Sequence, residues 1–517
     1  MTKFITAAEA ANLIKDNDTV GIGGMGLVGW PEEVGRAIAA RYKDTSHPRN
    51  ITVRQACTLG ERGPRGIKIL DAEGLIGTWV ASIFGPGGNL TQYMIDGKIN
   101  CFAIPQGVAV NLWREIAAKR PGVITKVGLG TFIDPRVDGG RINSATKGNI
   151  AELLTIDGEE YLFFKSFPVN VALIRGTAAD VDGNITLSKD GCTYEALPLA
   201  MAAKSSGGIV IAQVETVEGR GSLHPKSVEI PGVLVDYIVE ATDSTCCWQC
   251  GSTYYNPAYS GDERVEVSEI PPLPLDARKV IARRCAMELN KGDVVNLGIG
   301  IPCDISSVAA EEGVSDDFIL STEAGTVGGV PAPKQDFGCS FNAQAIMRHN
   351  DMFDLIDGGN LDVTCLGMGE ADKFGNVNVS KFKNVIPGPG GFINITAATK
   401  KVVFAGTFMA KSREIIGNGR IEILDQGKYR KFVDKVEQIT FSSKHSTSPE
   451  VLYVTERAVF QLENSQLKLI EIAPGIDLER DVLANMDFRP LISDDLKIMD
   501  AGLFSEKWGK LKEYMED

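Results

Sequence analysis

The residue best suited to chemistry is Glu323, a lone acid in the segment 318–329, which reads FILSTEAGTVGG. The apolar run before it predicts a strand, and Gly325, Gly328 and Gly329 leave the carboxylate sterically open at the carboxyl edge of a sheet. Because an acid in that place loses hydration, we expect it to have a function; the competing interpretation is a helix cap or a salt-bridged loop carboxylate. A glutamate nucleophile suits one reaction in particular, the transfer of a thiol carrier between carboxylic acids.

Attack of such a glutamate on a thioester gives an acyl-glutamyl anhydride, which is as energy-rich as the bond that is broken. The expelled thiolate then attacks the glutamyl carbonyl and leaves an enzyme thioester, and a second carboxylate reverses both steps. Each tetrahedral intermediate carries negative charge on oxygen, and one well-aimed N–H donor lowers such a barrier by about 3–4 kcal/mol. The glycine-rich loops of the chain are candidates for these donors.

Two further segments fit a site of this kind. Pro105-Gln106-Gly107 follows the strand-like run CFAI, so the Gln106 amide is a candidate oxyanion donor, with a plain turn glutamine as the alternative. The run 387–391, PGPGG, precedes the predicted helix FINITAATK. Its backbone and the helix dipole can meet a phosphate or amide of a ligand, with simple loop punctuation as the alternative.

The segment 21–26, GIGGMG, matches the G-x-G-x-x-G pattern of dinucleotide sites. A Rossmann unit needs a helix that starts within the glycines and an acid at the end of the next strand. Here Gly29-Trp30-Pro31 interrupts the first turn, and the next run, ITVRQAC, ends without an acid. We therefore expect an anion-holding loop of bare backbone N–H groups or a structural turn, and an NAD-dependent oxidoreductase ranks behind the other functions.

Other familiar catalytic patterns are incomplete. Cys247 and Cys250 form a C-x-x-C, but no second pair or nearby histidine completes a zinc site, so we expect two packed thiols and no metal. The sequence has no G-x-S-x-G, cysteine-protease or Walker A pattern. The histidines are expected to be surface or satisfied residues: His47, His224, His349 and His445.

Repeated patterns divide the chain into similar halves. Each half opens with an amphipathic helix, an aspartate (Asp18 or Asp293), a β-branched run and glycines that end in proline. Later, AADVDGNITLS (178–188) returns as EADKFGNVNVS (370–380), and in each half a helix with a late lysine precedes an apolar strand. Repeats in the same order predict two copies of one fold.

We therefore predict two tandem, similarly folded open α/β domains, residues 1–270 and 271–517, joined near Pro271, Pro272 and Pro274. Apolar β-branched runs that alternate with helical patterns predict mainly parallel sheets with flanking helices. Because ligands bind at the carboxyl ends of strands in such folds, the active site is expected between the two domains.

The composition limits partners and location. The 517 residues carry a net charge of −14, which repels nucleic acid and anionic membranes. No stretch approaches the ~20 apolar residues of a membrane span, and the N-terminus lacks the pattern of a signal peptide. The 10 cysteines are too sparse for a disulfide scaffold. We expect a cytoplasmic protein with reduced thiols.

Together, Glu323 and the glycine turns resemble the glutamate-dependent family I CoA-transferases, most of all the propionate, or short-chain acyl, CoA-transferases, over nearly the whole chain. The family pattern Gly-Gly-Phe-x-x-x-Gly-x-Pro is matched by residues 23–31, with Met25 in place of the aromatic. Ser-Glu-Asn-Gly is matched by residues 322–325, with Ala324 in place of Asn. The other matching segments are 105–107, 298–302, 388–391 and 454–483.

The resemblance implies a ping-pong exchange through a glutamyl-CoA thioester, and a homo-oligomer. CoA is then a substrate and a covalent intermediate, and no permanently bound cofactor or metal is expected. The implied catalytic residues are Glu323 and Gln106. Lys400 is assigned to a CoA phosphate by its position before the strand KVVFAG, with a surface lysine as the alternative. The implied CoA-side residues are Gly298, Ile299, Gly300, Gly388, Gly390, Gly391 and Lys400, and the implied carboxylate-side residues are Gly24, Met25, Gly26 and Ala324.

The predicted function is CoA transfer from acetyl-CoA or propionyl-CoA to another short-chain carboxylate, in a closed cleft that Met25 and Trp30 help to wall against water. The expected partners are these small molecules, without nucleic acid or membrane. The alternatives are an acyl-CoA hydrolase on the same scaffold and a non-catalytic ligand-sensing α/β protein. The latter should carry a helix-turn-helix segment and a basic face, which the sequence lacks.

Overall fold

The computed structural model describes residues 2–57, 59–61, 63–266 and 272–515. These residues form two large sheets, one built from residues 3–240 and the other from residues 294–498. The predicted boundary between residues 270 and 271, with Pro271, lies outside the described residues. The domain limits 1–270 and 271–517 therefore stay a prediction, whereas the α/β class with mainly parallel sheets is confirmed.

The first sheet is parallel along its main path, as expected where helical crossovers connect the strands. Its strand Val171–Asp180 is buried along its whole length, so both faces of the sheet are covered there. The antiparallel strands Ile185–Thr186 and Val228–Ile230 extend it at one side. In spatial order the main path is Lys3–Phe4, Tyr237–Glu240, Ile209–Glu218, Val171–Asp180, Thr19–Ile22, Ile51–Arg54, Ile76–Ala81 and Asn100–Ala103.

The second sheet has a parallel centre and flanks that join it by antiparallel pairs, and its last strand, Leu491–Ile498, pairs in parallel with Gln466–Ile472. Its parallel centre is, in spatial order, Ile319–Ser321, Val294–Leu297, Val363–Gly367, Lys401–Ala405 and Glu450–Val454. Its flanks are Thr326–Val327 and Ala345–Ile346 on one side, and Ala458–Glu463, Gln466–Ile472 and Leu491–Ile498 on the other. The nucleophile candidate Glu323 thus follows a strand of the parallel centre, at its carboxyl end.

Helices cover the sheets, and capping fixes where several of them begin. Thr6 and Glu9 form a capping box, in which the Glu9 N–H donates to the Thr6 hydroxyl (3.2 Å) and the Thr6 N–H donates to the Glu9 carboxylate (2.8 Å). In the described ranges no helix is long and apolar enough to cross a bilayer. The helices are Ala7–Leu13, Glu32–Thr45, Asn89–Ile95, Gln106–Ala117, Ala196–Ser205, Pro257–Ser260, Ala277–Ala286, Asp304–Glu312, His349–Asp357, Phe392–Ala398 and Leu511–Tyr514.

Small ribbons lie outside the two large sheets. A three-stranded ribbon joins the first half after the helix Gln106–Ala117, and the others belong to the second half. Their strands are Gly122–Thr125, Glu152–Ile156 and Glu159–Lys165; Val330–Pro331 and Ser340–Phe341; Glu370–Asp372, Val377–Asn378 and Phe432–Val433; Met409–Ala410 and Tyr429–Arg430; and Arg413–Gly417 and Arg420–Asp425.

The repeated sequence patterns adopt the same local structure. In the first copy, the Asp180 carboxylate accepts the backbone N–H and the side-chain amide of Asn184, both at 2.9 Å. In the second copy, Asp372 accepts the same two donors of Asn376, both at 3.0 Å. Each aspartate closes the same Asx turn before a short strand. At this segment, the sequence repeat is therefore also a repeat of local structure.

Candidate active site

Glu323 lies directly after the strand Ile319–Ser321, in a turn that a chain of hydroxyl groups holds. The Thr322 N–H donates to the Thr326 carbonyl (3.0 Å), and the hydroxyl oxygens of the two threonines are 2.8 Å apart. The Thr322 hydroxyl also donates to the Gly338 carbonyl (3.0 Å). These bonds fix the backbone on both sides of Glu323, so its side chain is the free part of the turn.

The Glu323 side chain is only 9% exposed. Among the described residues no side chain forms a hydrogen bond or an ion pair with its carboxylate. Burial raises the pKa of Glu323, while its own backbone N–H and the nearby His349 act in the opposite direction. A buried carboxylate without a side-chain partner is poorly solvated when ionised, which makes it a stronger nucleophile than an exposed glutamate.

The first glycine loop meets the Glu323 turn at Gly338. A Cβ atom added to Gly338 would collide with Cε of Met25 and lie 3.2 Å from Cβ of Ala324. Met25 and Val28 exchange backbone hydrogen bonds (3.2 and 3.1 Å), so the loop 23–28 is a closed turn. The structure thus brings Met25 from the first half against Ala324, which follows Glu323 in the second half.

Gln106 begins the helix Gln106–Ala117, which packs on the helix His349–Asp357 of the other half. A Cβ atom on Gly107 would lie 2.6 Å from Cδ1 of Phe353, so only glycine allows this approach. The Gln106 side chain is fully buried, and its Nε2 is 3.0 Å from Nε2 of His349. Gln106 therefore lies at the contact between the two halves, and its role as an oxyanion donor stays a prediction.

The sequence gives no signal for Glu195 and His349, which the structure adds to the site. His349 Nδ1 is 2.6 Å from Oε2 of Glu195, and both side chains are fully buried. The Gly24 N–H donates to the other oxygen of Glu195 (3.2 Å). Since 154 positions separate Glu195 from His349, no local pattern reveals the pair. The sequence predicts that each histidine lies at the surface or has its hydrogen bonds satisfied, and His349 is of the second kind.

The loop 387–391 joins the second half to the first. The Gly390 N–H donates to the Ser82 carbonyl and the Phe84 N–H to the Pro387 carbonyl, both at 2.9 Å. A Cβ atom on Gly388 would collide with the Ser82 carbonyl, whereas one on Gly391 would lie 3.6 Å from Cγ of Glu323. Gly388 therefore serves close approach to the first half, whereas Gly391 lies next to the nucleophile candidate at an ordinary contact distance.

The glycine loop 298–300 and Lys400 lie at opposite ends of the parallel strands of the second sheet. Gly298, Ile299 and Gly300 follow the strand Val294–Leu297, at the same carboxyl edge as Glu323. Ile299 is 63% exposed, and a Cβ atom on Gly300 would meet no atom within 4 Å. Lys400 precedes the parallel strand Lys401–Ala405, and its Nζ is paired with Asp362 (2.7 Å). The structure does not bring Lys400 to the other candidate residues.

The G-x-G-x-x-G segment and the C-x-x-C cysteines make contacts that indicate structural roles. The helix after the G-x-G-x-x-G segment begins only at Glu32, and the Gly24 N–H is already bonded to Glu195, which is unlike a dinucleotide loop. Cys250 packs against Cys339, with the two sulfurs 3.4 Å apart, and the Gln213 amide is 3.7 Å from the sulfur of Cys247.

Comparison with known proteins places this geometry in context. The sequence profile described as coenzyme A transferase matches residues 4–241. The chain is 53% identical over 522 residues to the caffeate CoA-transferase of Acetobacterium woodii, with 100% of both proteins covered. It is 41% identical over 504 residues to the acetate CoA-transferase YdiF of Escherichia coli K12, covering 97% of this chain and 94% of YdiF.

A solved structure extends the likeness to the fold. It is the acyl-CoA transferase YdiF of Escherichia coli O157:H7 in a thioester complex with CoA. This chain matches it with a TM-score of 0.91 and 39% identity, over 98% of this chain and 97% of that one.

Proposed function

Because the chain belongs to the coenzyme A transferase family, as a family I enzyme, we propose that it transfers CoA between short-chain carboxylic acids through a thioester on Glu323. The observation that carries this proposal is the Glu323 carboxylate, which is buried and without a side-chain partner at the point where loops of both halves meet. The thioester complex with CoA of YdiF, at 39% identity, supports a covalent intermediate here.

In the proposed reaction, the Glu323 carboxylate attacks the carbonyl carbon of acetyl-CoA or propionyl-CoA and expels the CoA thiolate. The resulting anhydride retains the energy of the thioester, and the thiolate attacks its glutamyl carbonyl and releases the donor acid. The acceptor carboxylate then attacks the glutamyl-CoA thioester and expels the CoA thiolate, which forms a second anhydride. The thiolate attacks the acceptor-derived carbonyl of this anhydride and expels the Glu323 carboxylate. This last step frees Glu323 and the product thioester, so no proton or water is consumed.

The candidate residues divide between the two sides of Glu323. Met25 and Ala324 would wall the acyl group, with Gly24 and Gly26 shaping the Met25 loop. The loops with Gly298 and Gly391 would face CoA from the other side. Gln106 is the proposed oxyanion donor. A homo-oligomer and a cytoplasmic location stay predictions.

The acceptor acid is proposed to be a short-chain carboxylate such as acetate, propionate or lactate. The names of the relatives differ in their acids, acetate for YdiF and caffeate for the Acetobacterium woodii protein. One methylene group changes discrimination in an apolar pocket by only about 1–3 kcal/mol, so neighbouring short acids should compete. A panel that includes acetate, propionate, lactate and caffeate as acceptors will rank them.

The test is steady-state transfer by the Glu323→Ala variant. We expect a loss of about 10³-fold or more with folding intact, because no other group can form the anhydride. The matched control is Glu73→Gln, which removes a surface carboxylate paired with Lys98 and should leave transfer unchanged. Transfer that survives in Glu323→Ala would refute the proposal. CoA release that needs no acceptor acid would instead identify an acyl-CoA hydrolase.

A further inference from the structure

A cavity of about 220 Å³ lies between the first sheet and the three-stranded ribbon of the first half. None of the described residues that line it belongs to the candidate active site. Sites for drug-sized ligands measure about 300–1,000 Å³, so this cavity suits a smaller molecule. The lining side chains include, from the sheet, Arg54, Thr78 and Phe102, from the helix after it Leu112, and from the ribbon and the segment that follows Phe163 and Phe167.

Arg54 lines this cavity with its guanidinium stacked on an aromatic ring. Val80 of the next strand pairs with Arg54 on one side and with Phe102 on the other. Paired residues share a face of a sheet, so the side chains of Arg54 and Phe102 project from the same face. Cζ of Arg54 lies 3.7 Å from the ring centroid of Phe167, and that ring is in edge contact with Trp113, with centroids 5.6 Å apart. These packed rings hold the guanidinium at the cavity.

The charge of Arg54 has no counter-charge in the part of the chain that the structure describes. No group there forms a hydrogen bond or an ion pair with the guanidinium. Burial lowers the pKa of Arg54 to about 10, and no charged group offsets this effect. The guanidinium still carries its proton at neutral pH. A cation withdrawn from water without an anion is costly, and the Phe167 ring compensates only a part of that cost.

The lining of the cavity selects the class of anion. A ring on the face of a guanidinium leaves its N–H groups at the edge, where their spacing matches the two oxygens of a carboxylate. The other basic lining residue, Lys165, is exposed and already paired with Glu152 (2.6 Å). One unpaired cation suits a monoanion better than a phosphate dianion. The aromatic side chains Phe102 and Phe163 suit an apolar body on that anion.

We propose that this cavity binds a small monocarboxylate with an apolar body, such as a one-ring aromatic acid, whose carboxylate pairs with Arg54. The site is separate from the site of CoA transfer. The bound carboxylate supplies the charge that Arg54 lacks, and the apolar body replaces water on the surrounding rings. Because Leu112 and Trp113 belong to the helix that begins at Gln106, a bound acid also adds contacts to that helix.

The first test is the binding of 4-fluorobenzoate to the full chain, followed by ¹⁹F NMR. We expect wild type to bind it with a Kd of about 1 mM or lower. Arg54→Met should weaken binding by at least about 10-fold, because it removes the charge and the N–H donors. The matched control is Arg49→Met, which removes an exposed arginine paired with Asp16 and should keep the wild-type affinity. Equal affinity in Arg54→Met and wild type would overturn the proposal.

Inorganic phosphate is the second probe and tests the class of anion. We expect it to displace 4-fluorobenzoate only at concentrations at least about 10-fold higher, because one cation cannot neutralise a dianion in an apolar cavity. Phosphate that binds more tightly than 4-fluorobenzoate would overturn the assignment to a monocarboxylate.

Crystals grown with 4-bromobenzoate locate the ligand through the anomalous scattering of bromine. We expect a bromine peak in the cavity beside Phe102 and Phe163 in wild type, with the carboxylate at Arg54, and no such peak in Arg54→Met. A bromine peak found only beside Glu323 would show that the probe binds at the candidate active site, which would overturn the proposal.

Thermal unfolding tests the missing counter-charge. Arg54→Met removes the unpaired cation and keeps a long side chain, so without ligand its midpoint should equal or exceed that of wild type. Addition of 4-fluorobenzoate should raise the midpoint of wild type and leave that of Arg54→Met unchanged. An equal rise in both proteins would overturn the proposal. Should Arg54→Met not fold, Arg54→Lys decides: it keeps the charge but loses the paired N–H donors, so it should bind 4-fluorobenzoate more weakly than wild type, and equal affinity would overturn the proposal.

The outcomes separate this inference from the proposed function. Arg54 lies outside the proposed catalytic residues, so Arg54→Met should form the CoA adduct on Glu323 as wild type does. If wild type forms the adduct but does not bind 4-fluorobenzoate, only the anion site fails. If wild type binds the probe in the cavity but never forms the adduct, only the proposed function fails.

Discussion

Two buried glutamates in the same cleft are held in opposite ways. Glu195, from the first half, accepts the Gly24 N–H and contacts His349, so its carboxylate is satisfied. Glu323, from the second half, has no side-chain partner among the described residues, and burial raises its pKa. The satisfied acid holds its neighbours in place, whereas the acid without a side-chain partner is the one that we propose as the nucleophile.

The largest effect on the free energy of unfolding is expected when the carboxylate of Glu195 is removed. Glu195→Ala leaves Nδ1 of His349 and the Gly24 N–H without partners and opens a cavity, so we expect the free energy of unfolding to fall by about 3–5 kcal/mol. Urea unfolding monitored by circular dichroism measures this loss. Glu195→Gln can accept from Gly24 and donate to His349, so it should lose much less. Equal, small losses in both variants would contradict a structural role for this pair.

The two glycine loops extend the comparison. Gly24 has φ +121° and a Cβ there would collide with the Val28 carbonyl, whereas Gly300 has φ +101° and open space around it. Gly24→Ala should therefore lower the free energy of unfolding by about 3 kcal/mol or more. Gly300→Ala, the matched variant, should lose only about 1–2 kcal/mol from backbone strain. Thermal unfolding distinguishes the two, and a reversed order would show that the loops are packed differently.

Shortening the side chain of Glu323 tests how tightly the proposed nucleophile is placed. Glu323→Asp withdraws the carboxylate by one methylene, and a misplacement of that size costs about 10²-fold in transfer. Because the intermediate would then be less well enclosed, hydrolysis should rise relative to transfer. The ratio of free CoA to product thioester measures this partition. An unchanged ratio would count against a closely positioned nucleophile.

The smallest expected effect is the change in stability with pH that Glu323 causes. Because burial raises the pKa of Glu323, the folded protein binds its proton more tightly than the unfolded chain, and stability is lost as pH rises from acid to neutral. Glu323→Gln removes this loss and should stabilise the protein by about 0.5–2 kcal/mol at neutral pH, with no difference in acid.

Glu9→Gln is a control for which the expected change in stability has the opposite sign. Hydrogen bonds from Thr6 lower the pKa of Glu9, so Glu9→Gln should destabilise the protein at neutral pH rather than stabilise it. Unfolding midpoints at several pH values measure both variants. A destabilised Glu323→Gln at neutral pH would mean that the carboxylate has a partner after all.

The sequence predicts those parts of the site that follow strand ends. Glu323, Gln106 and the glycine loops 23–28 and 298–300 could be placed because parallel strands bring their carboxyl ends to one edge. Lys400 precedes its strand, so the same rule puts it at the opposite edge, paired with Asp362. Glu195 and His349 could not be found, since their contact depends on how the two halves pack.

The central claim is that Glu323 becomes covalently bonded to CoA during turnover. The direct measurement is to incubate the protein with acyl-CoA and no acceptor acid, digest it, and determine peptide masses. We predict a CoA adduct on the peptide that contains Glu323 in wild type, and no adduct in Glu323→Ala. Efficient transfer by wild-type protein that never carries such an adduct would contradict the account.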